Sequence, residues 1–298
     1  MISNGKFYES QFEEATIELL REAHWQYAFG DDIHRKYTDP LIEEDLRNFL
    51  AVQYKDKNLT TSEMDSIVAN LRNTGGQNDY YALRNTFLLY RDGYDFAYSD
   101  GRSNPFRLEY IDFEHPDHNI FRCVNQFVME QGRENRRPDI LLFINGIPVC
   151  IIELKNPTKQ NATIHDAHTQ ICTRYMRDIP ALLKYCALAV ISDGAKNALG
   201  ATYTPFEFFY EWKKIENEDK AGKGLDTLRT LIRGAISPER ILEILRDYVY
   251  FPDPTKEDDT TEIVCRYPQF FATRKLRDHI LNHLRSVGGS RRPSGLRK

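Results

Sequence analysis

The amino-acid sequence predicts an α/β fold: a mixed central β-sheet flanked by helices, with extra helices at the amino terminus. Three observations support this prediction. Apolar residues recur at helical spacing through roughly the first eighty residues. Aromatic and β-branched residues then alternate with polar ones, which is typical of strands. Residues 139–191 show the order strand, hairpin strand, helix, strand, which is the pattern of an α/β core.

The first elements in chain order are three helices. The sequence predicts them over residues 8–23, 40–54 and 62–72, because each range carries an apolar stripe between charged positions. Thr61 is the expected N-cap of the third helix, since its hydroxyl can accept a hydrogen bond from a free backbone N–H.

From residue 87 the apolar period changes to two. Strands are therefore predicted over 87–90, 107–113 and 121–128. The clearest element is a hairpin of residues 139–144 and 147–152. Its two strands are joined by Asn145-Gly146, the pair that favours a two-residue turn with positive φ angles.

The remaining elements follow the hairpin. The sequence predicts a helix over 160–178, a strand over 186–191, and helices over 206–214, 238–249 and 268–285. Residues 251–259 carry proline and charge without periodicity, which predicts a linker, and residues 287–298 read as a flexible tail. The chain therefore divides near residue 250.

Composition excludes several classes of protein. The 298 residues are 41% hydrophobic and 28% charged, which excludes a small stapled scaffold and a disordered chain. The sequence contains no apolar run near the ~20 residues that span a bilayer and no signal-peptide order, so we expect a cytoplasmic protein without membrane contact. Five widely spaced cysteines in apolar surroundings predict reduced thiols and neither a disulfide framework nor a CxxC zinc site.

The hairpin carries the candidate chemistry. Asp139 opens its first strand, while the period-two rule places Val149, Ile151, Glu153 and Lys155 on one face of its second strand. The turn folds Asp139 back beside Glu153. Two carboxylates and an ammonium then meet at the end of an apolar ribbon, which is costly without a partner or a purpose.

Metal-assisted hydrolysis of a phosphodiester uses this set of groups. Two carboxylates can hold Mg²⁺, which polarises the phosphoryl oxygen, while the lysine positions or deprotonates the nucleophile. The alternative is that Asp139 simply ends a strand and that Glu153 and Lys155 form a surface pair.

The same residues carry a resemblance to a known family. Pro138-Asp139 followed by Glu153-Leu154-Lys155 resembles the signature of the PD-(D/E)xK nucleases. The surrounding sequence is similar to the amino-terminal endonuclease domain of the restriction (R) subunit of type I restriction-modification enzymes; the similar segments are 112–114, Asn119, 124–127, 135–139, 143–146 and 152–157, and more weakly 9–25, 191–194 and 206–212. The resemblance implies that Asp139 and Glu153 ligate Mg²⁺, which Mn²⁺ can replace, and that Lys155 is the catalytic lysine.

The resemblance also implies a division of labour. Residues 1–250 would be the endonuclease domain, and 251–298 a linker and the truncated start of the first RecA-like motor, whose ATP would be used only by the full-length protein. Gln269 occupies the place of a glutamine that can read adenine, whereas the chain contains no GxxxxGK[ST] loop. Double-stranded DNA is the implied substrate, cut without sequence recognition, and methylation (M) and specificity (S) subunits are the implied partners.

Two alternatives remain open. The domain could be a catalytically silent docking module of the restriction-methylation complex, or a motor-independent repair nuclease of the same fold. The carboxyl-terminal segment from Cys265 has nine basic residues and one acidic residue, a net charge of +8 against −12 for the rest of the chain. That segment could contact DNA phosphates, or it could be a motor helix left solvated.

Further site residues are implied by the family. It carries a Gln-xxx-Tyr motif in the helix after the catalytic strand, whereas Gln170 and Tyr175 here lie five apart, which places them roughly 140° apart on an ideal helix. Gln170 could instead pair with Arg174 while Tyr175 packs on the core. An acidic residue of the first helix often joins the metal site, and Glu13 is preferred over Glu9 and Glu14 because it shares a face with apolar residues.

Charged residues near these motifs supply the last candidates. Arg136 and Arg137, with Arg133, could clamp a DNA phosphate or form an exposed basic turn. His165 and His168 could reach a metal, although two histidines without a third ligand are more often surface residues.

Overall fold

A computed structural model describes residues 4–155, 163–216, 222–252 and 260–289. Most of the predicted linker, residues 253–259, and the last part of the predicted tail, residues 290–298, lie outside the described residues.

The central element is a six-stranded mixed sheet, which confirms the predicted α/β class. Its strands are β1 (Gln26–Phe29), β4 (Phe121–Asn125), β7 (Ile140–Ile144), β8 (Ile147–Leu154), β9 (Leu188–Ser192) and β10 (Asn197–Ala201), and they lie in the order β1-β4-β7-β8-β9-β10. β1 is parallel to β4 and β8 is parallel to β9, while the other neighbours are antiparallel. Three small ribbons complete the strands: β2 (Tyr94–Phe96) with β3 (Phe106–Leu108), β5 (Met129–Gln131) with β6 (Glu134–Arg136), and β11 (Val249–Tyr250) with β12 (Ile263–Val264).

Helices cover both faces of the sheet. They are α1 (Asn4–Glu22), α2 (Glu43–Gln53), α3 (Thr61–Asn73), α4 (Asp79–Asp92), α5 (Ile164–Thr169), α6 (Met176–Asp178), α7 (Pro180–Leu183), α8 (Leu225–Leu231), α9 (Pro238–Asp247) and α10 (Tyr267–Gly289), with π-helical segments at Gln170–Tyr175 and Ile232–Ile236. None of the helices in the described ranges is long and apolar enough to cross a membrane.

The predicted hairpin is confirmed. β7 and β8 are joined by Asn145 and Gly146, whose φ angles of 51° and 76° are those of the favoured two-residue turn. A Cβ atom on Gly146 would lie 2.1 Å from the carbonyl oxygen of Ile42. The turn therefore requires glycine for close packing as well as for its backbone angle.

One detail of the hairpin differs from the prediction. The pairing register shifts after Leu142, so that Leu142 faces Cys150 but Phe143 faces Pro148. Val149 is the extra residue of this bulge, and it packs in a different core cluster from Ile151. A bulge interrupts the alternation of side chains, so Val149 does not share the face of Glu153.

The predicted strand over 87–90 is wrong, because these residues lie in α4. Tyr80, Leu83, Phe87 and Tyr90 are buried together on one side of this helix. Their spacing of three and four residues is helical, and it overrides the short local alternation.

Three other predictions need correction. The helix predicted over 206–214 is only the single turn Phe206–Phe208, after which Tyr210 pairs with Leu199 at the edge of the sheet. The strand predicted over 107–113 ends at Leu108. The N-cap of α3 is Thr60, because Glu63 closes a capping box with it.

Two hydrophobic clusters pack on opposite faces of the sheet. The larger contains α1 to α4, α9 and Phe270 of α10, and the smaller contains α5, the π-helical segment and α7. Ile151 belongs to the smaller cluster while Ile152 belongs to the larger one. Side chains in register with Ile151 therefore point toward the π-helical segment.

Candidate active site

The β7 and β8 register brings the two predicted carboxylates together. Ile140 pairs with Ile152, so Asp139 and Glu153 are neighbours at the end of the hairpin opposite the turn. Asp139 Oδ2 accepts a hydrogen bond of 2.7 Å from the backbone N–H of Leu154. Lys155 follows β8 directly and is fixed to β9 by a 2.7 Å bond from its N–H to the Ser192 carbonyl.

Four side chains, one of them that of Glu153, form a closed ring of hydrogen bonds. Lys155 Nζ donates to Glu153 Oε1 at 2.8 Å and to Gln170 Oε1 at 2.7 Å. Gln170 Nε2 donates to the Tyr175 hydroxyl at 2.7 Å, and that hydroxyl donates to Glu153 Oε2 at 3.3 Å. We call these four residues the Glu153 ring. The Glu153–Lys155 contact is a buried ion pair, with the glutamate side chain 1% and the lysine side chain 16% exposed.

The ring depends on the local geometry of the helix that follows β8. Residues Gln170–Tyr175 are π-helical, a form in which backbone bonds join residues i and i+5. Positions five apart therefore lie above one another, which brings Gln170 and Tyr175 to the same face. The alternative pairing of Gln170 with Arg174 is not observed, whereas Tyr175 is buried as that alternative expected.

Burial dominates the electrostatics of the site. Burial and, to a lesser extent, the nearby Asp139 charge raise the pKa of Glu153 to about 8, and Lys155 opposes the shift. Burial also raises the pKa of the Tyr175 hydroxyl, which stays protonated and able to donate. The two carboxylates are thus held in a position where their charges repel each other.

This donor set fits a hard divalent cation. Asp139 and Glu153 offer carboxylate oxygens and no soft ligand, which is the preference of Mg²⁺. A cation between them would also remove the repulsion that Asp139 exerts on Glu153. The residues present therefore fit the metal that the sequence predicts.

Glu13 approaches this edge of the sheet from the opposite face. Its carboxylate accepts hydrogen bonds from Asn125 Nδ2 at 2.7 Å and from Gln126 Nε2 at 3.0 Å. The N–H of Gln126 in turn donates to the Asp139 carbonyl at 3.3 Å. Glu13 is thus half-buried and connected to Asp139 through Gln126, and Glu14 is exposed.

Sequence reasoning from residue types missed the two amides that hold Glu13. Asn125 also accepts a hydrogen bond from Tyr27, and Gln126 has a positive φ of 55°. The available signal was the polar pair Asn125-Gln126 at the end of an apolar strand. The sequence analysis included this pair only as part of segment 124–127 of the family resemblance.

The basic residues before Asp139 differ in their surroundings. Arg136 Nε donates to Asp178 Oδ2 at 2.8 Å, and Asp178 is buried. This contact ties the β6 strand to α6. Arg133 and Arg137 are exposed and form no ion pair within the described part of the chain.

His165 and His168 do not converge on the carboxylates. His168 Nε2 contacts the Thr204 carbonyl at 3.0 Å, and both rings pack edge-on against Phe206. Burial lowers the pKa of His168, which favours the neutral ring. The pair serves packing between α5 and the segment after β10.

Gln269 lies near the start of α10, far along the chain from the Glu153 ring. Its side-chain oxygen accepts a 2.8 Å hydrogen bond from the N–H of Arg266. It lines a cavity of about 500 Å³ together with Tyr210 and Glu262.

Comparison with known proteins places the chain in a family. Residues 6–208 match the family described as "Type I restriction enzyme R protein N terminus". The chain is 29% identical over 283 residues to the type I restriction enzyme HindI endonuclease subunit of Haemophilus influenzae, covering 91% of this chain and 26% of that protein. It is 27% identical over 293 residues to a putative type I restriction enzyme MjaIXP endonuclease subunit of Methanocaldococcus jannaschii, covering 90% and 27%.

A third relative, the type I restriction enzyme EcoprrI endonuclease subunit of Escherichia coli, is 28% identical over 192 residues, which is 61% of this chain and 56% of that protein. The chain spans about a quarter of the length of the first two relatives. The family match covers more than half of the chain, including Asp139, Glu153 and Lys155. The chain belongs to the family of type I restriction enzyme R protein amino termini.

Proposed function

We propose that this chain is a Mg²⁺-dependent endonuclease domain that hydrolyses phosphodiester bonds of double-stranded DNA. The observation that carries the proposal is the Glu153 ring, which holds a buried carboxylate beside Asp139 and a lysine at the open end of the hairpin. The names of its relatives as endonuclease subunits support the same reaction class.

Each residue has a separate role in this proposal. Asp139 and Glu153 hold the cation, and Glu13 is the candidate for a third carboxylate behind Asp139. When bound, Mg²⁺ supplies charge stabilisation for the phosphoryl group and lowers the pKa of water. Lys155 positions or deprotonates the attacking water. Gln170 orients Lys155 and Tyr175 orients Glu153, because each is hydrogen-bonded to that partner.

Phosphate binding falls to the exposed arginines in this proposal. Arg137 and Arg133 are available to DNA, and Arg137 lies two residues before Asp139. Arg136 is engaged with Asp178, so its contribution is to position the segment that carries Arg137.

The rest of the enzyme is inferred from the family. Site recognition would belong to the methylation and specificity subunits, so this domain would cut without reading sequence. A division near residue 250, with a motor that uses ATP and Gln269 in the full-length protein, also stays a proposal. We expect DNA cleavage to take place in the cytoplasm.

Calorimetric titration of Mn²⁺ and Mg²⁺ into the purified chain tests the metal site. Asp139→Asn and Glu153→Gln should each lose binding, because each removes one charged ligand at nearly constant shape. Glu207→Gln is the matched control, since Glu207 is exposed. Nicking of supercoiled plasmid by the same four proteins then tests hydrolysis.

The two readouts separate the alternatives. Metal binding that depends on both carboxylates, without nicking, would support the site and assign inactivity to missing partners. Nicking by the isolated chain would favour a nuclease that works without a motor. Equal metal binding by all four proteins would reject the nuclease and favour a silent docking module.

A further inference from the structure

A second group of potential metal ligands lies at the other end of the hairpin. Asp112, His115 and His118 each present a ligand atom, and these atoms lie within 4.8 Å of one another. The three residues follow β3 and surround the short helical turn Pro116–His118. Among the described residues, no other group of three or more His, Cys, Asp or Glu side chains converges in this way.

The contacts converge on one oxygen. His118 Nδ1 lies 2.9 Å and His115 Nδ1 lies 3.3 Å from Asp112 Oδ2. The two imidazole rings are stacked with centroids 4.8 Å apart and an interplanar angle of 23°. Three ligand atoms around a zinc-sized ion, each at about 2.0 to 2.1 Å from it, would be separated by roughly 3 to 3.4 Å, close to the two distances from Asp112 Oδ2.

Hydrogen bonding alone accounts poorly for this arrangement. Asp112 Oδ2 also accepts a 3.1 Å bond from Gln53 Nε2, so one amide nitrogen and two imidazole nitrogens approach an oxygen that has two lone pairs. A metal ion resolves the conflict, because it takes the lone pairs of both imidazoles and one carboxylate oxygen.

The surroundings make a preformed and open site. Asp112 is buried and held by the N–H groups of Glu114 and His115 through Oδ1, which leaves Oδ2 directed toward the rings. The His115 and His118 side chains are 67% and 53% exposed. The carboxylate is therefore fixed, while solvent can reach the imidazole side of the site.

We propose that Asp112, His115 and His118 bind a divalent cation of the zinc type, with water completing the coordination. Two imidazoles and one carboxylate favour Zn²⁺, Co²⁺ or Ni²⁺ over Mg²⁺. The site lies beside the Asn145 turn, because Asn119 links Asp112 to Asn145. The six residue steps of β8 from Ile147 to Glu153 span about 20 Å, so the site is independent of the proposed catalytic metal.

A bound metal ion would stabilise the folded conformation of the segment between β3 and β4. This segment is closed by side-chain contacts of Asp112 and Asn119. A cation that joins residues 112, 115 and 118 would close the same loop more strongly, since it binds the folded conformation and not the unfolded one.

Zinc titration in a chain that also carries Asp139→Asn and Glu153→Gln tests the proposal, because this background removes the proposed catalytic site. The parent should bind one Zn²⁺ that a large excess of Mg²⁺ does not displace. His115→Ala and His118→Ala should each weaken binding by about tenfold or more. The doubly substituted His34→Ala/His279→Ala chain is the matched control, since it removes two exposed histidines elsewhere.

Co²⁺ supplies a second readout, because its visible absorption reports coordination geometry and thiolate ligands. A tetrahedral or five-coordinate spectrum without a thiolate band, lost in His115→Ala and His118→Ala, would support the site. Zinc binding that is unchanged in both variants, equally reduced in the control, or absent from the parent would overturn it. Both histidines are exposed, so loss of folding does not confound the result.

Discussion

The two ends of the β7–β8 hairpin bury polar side chains in opposite ways. At the turn, Asn145 is fully buried, and its side chain bonds to the Tyr110 carbonyl, the Asn119 side chain and the Ile120 N–H at 2.7 to 2.9 Å. At the open end, Glu153 is equally buried but ionisable, and burial raises the pKa of its carboxyl group to about 8.

This difference between Asn145 and Glu153 suggests that the turn end contributes to stability and the open end to the proposed function. A neutral amide with all its hydrogen bonds made stabilises the turn and needs no further ligand. A buried carboxylate beside another carboxylate is a strained arrangement that a cation relieves. The same ribbon therefore carries a structural end and the proposed catalytic end, and substitutions at the two ends should have different signatures.

The largest effect is expected from Lys155→Met at the open end. Removing the ammonium should lower plasmid nicking by at least about 10³-fold, because Lys155 is the proposed catalytic group. Mn²⁺ binding should persist, since both carboxylates remain. Nicking rates and calorimetry on the same preparation measure the two effects.

Lys196→Met is the matched control, because Lys196 is exposed on the loop after the neighbouring strand β9. Full nicking by Lys155→Met would contradict the assigned role of this lysine.

At the turn end, Gly146→Ala should lower the free energy of unfolding by about 3 to 4 kcal/mol. The new Cβ meets the Ile42 carbonyl oxygen at 2.1 Å and the φ of 76° disfavours alanine. Gly132→Ala separates the two causes, because Gly132 has a φ of 62° with nothing within 4 Å and should cost about 1 kcal/mol. Urea unfolding measures both, and equal losses would exclude the close approach to Ile42 as the cause.

The pH dependence of stability should also come from the open end. Because the folded-state pKa of Glu153 is about 8 and its ordinary value is 4.5, its contribution to stability is full below pH 4.5 and is lost as pH rises through 8. The metal-free protein should therefore lose about 2 to 3 kcal/mol between about pH 5 and about pH 7.5 relative to Glu153→Gln. Parallel pH profiles of unfolding for the two proteins would disprove the shift.

The smallest effect is expected from Tyr175→Phe. It removes one hydrogen bond to Gln170 and one to Glu153, so the free energy of unfolding should fall by about 1 kcal/mol. Nicking should fall by about tenfold, because Gln170, which contacts Lys155, loses the hydroxyl group that orients it. Tyr210→Phe serves as the control, since Tyr210 lies at the far edge of the sheet beside Leu199. An unchanged nicking rate in Tyr175→Phe would remove Tyr175 from the site.

The sequence predicted the positions of the residues at the open end of the hairpin better than it predicted the surrounding elements. Asp139, Glu153 and Lys155 could be placed because an Asn-Gly turn fixes the register of a short hairpin. The strand prediction at 87–90 was wrong because three apolar residues in a short segment cannot distinguish a strand from one side of a buried helix. The bulge at Val149 could not be predicted from the residue type, since a valine fits either face of an apolar strand.

Two groups of residues could be brought together only from the fold. The Glu13 contact joins residues more than one hundred positions apart, and no local pattern reports such a distance. His115 and His118 meet Asp112 only because a short turn at Pro116 folds them back on the same carboxylate.

The widened turn at Gln170–Tyr175 has a consequence for how the family tolerates insertions and deletions. A π turn holds one residue more than an α turn while it delivers both ends of the segment to the same face. A chain with Gln and Tyr four apart in an α-helix and a chain with them five apart in a π-helix can therefore present the same pair of side chains. Length differences at this point should be placed as a single-residue gap inside the segment when sequences of the family are aligned.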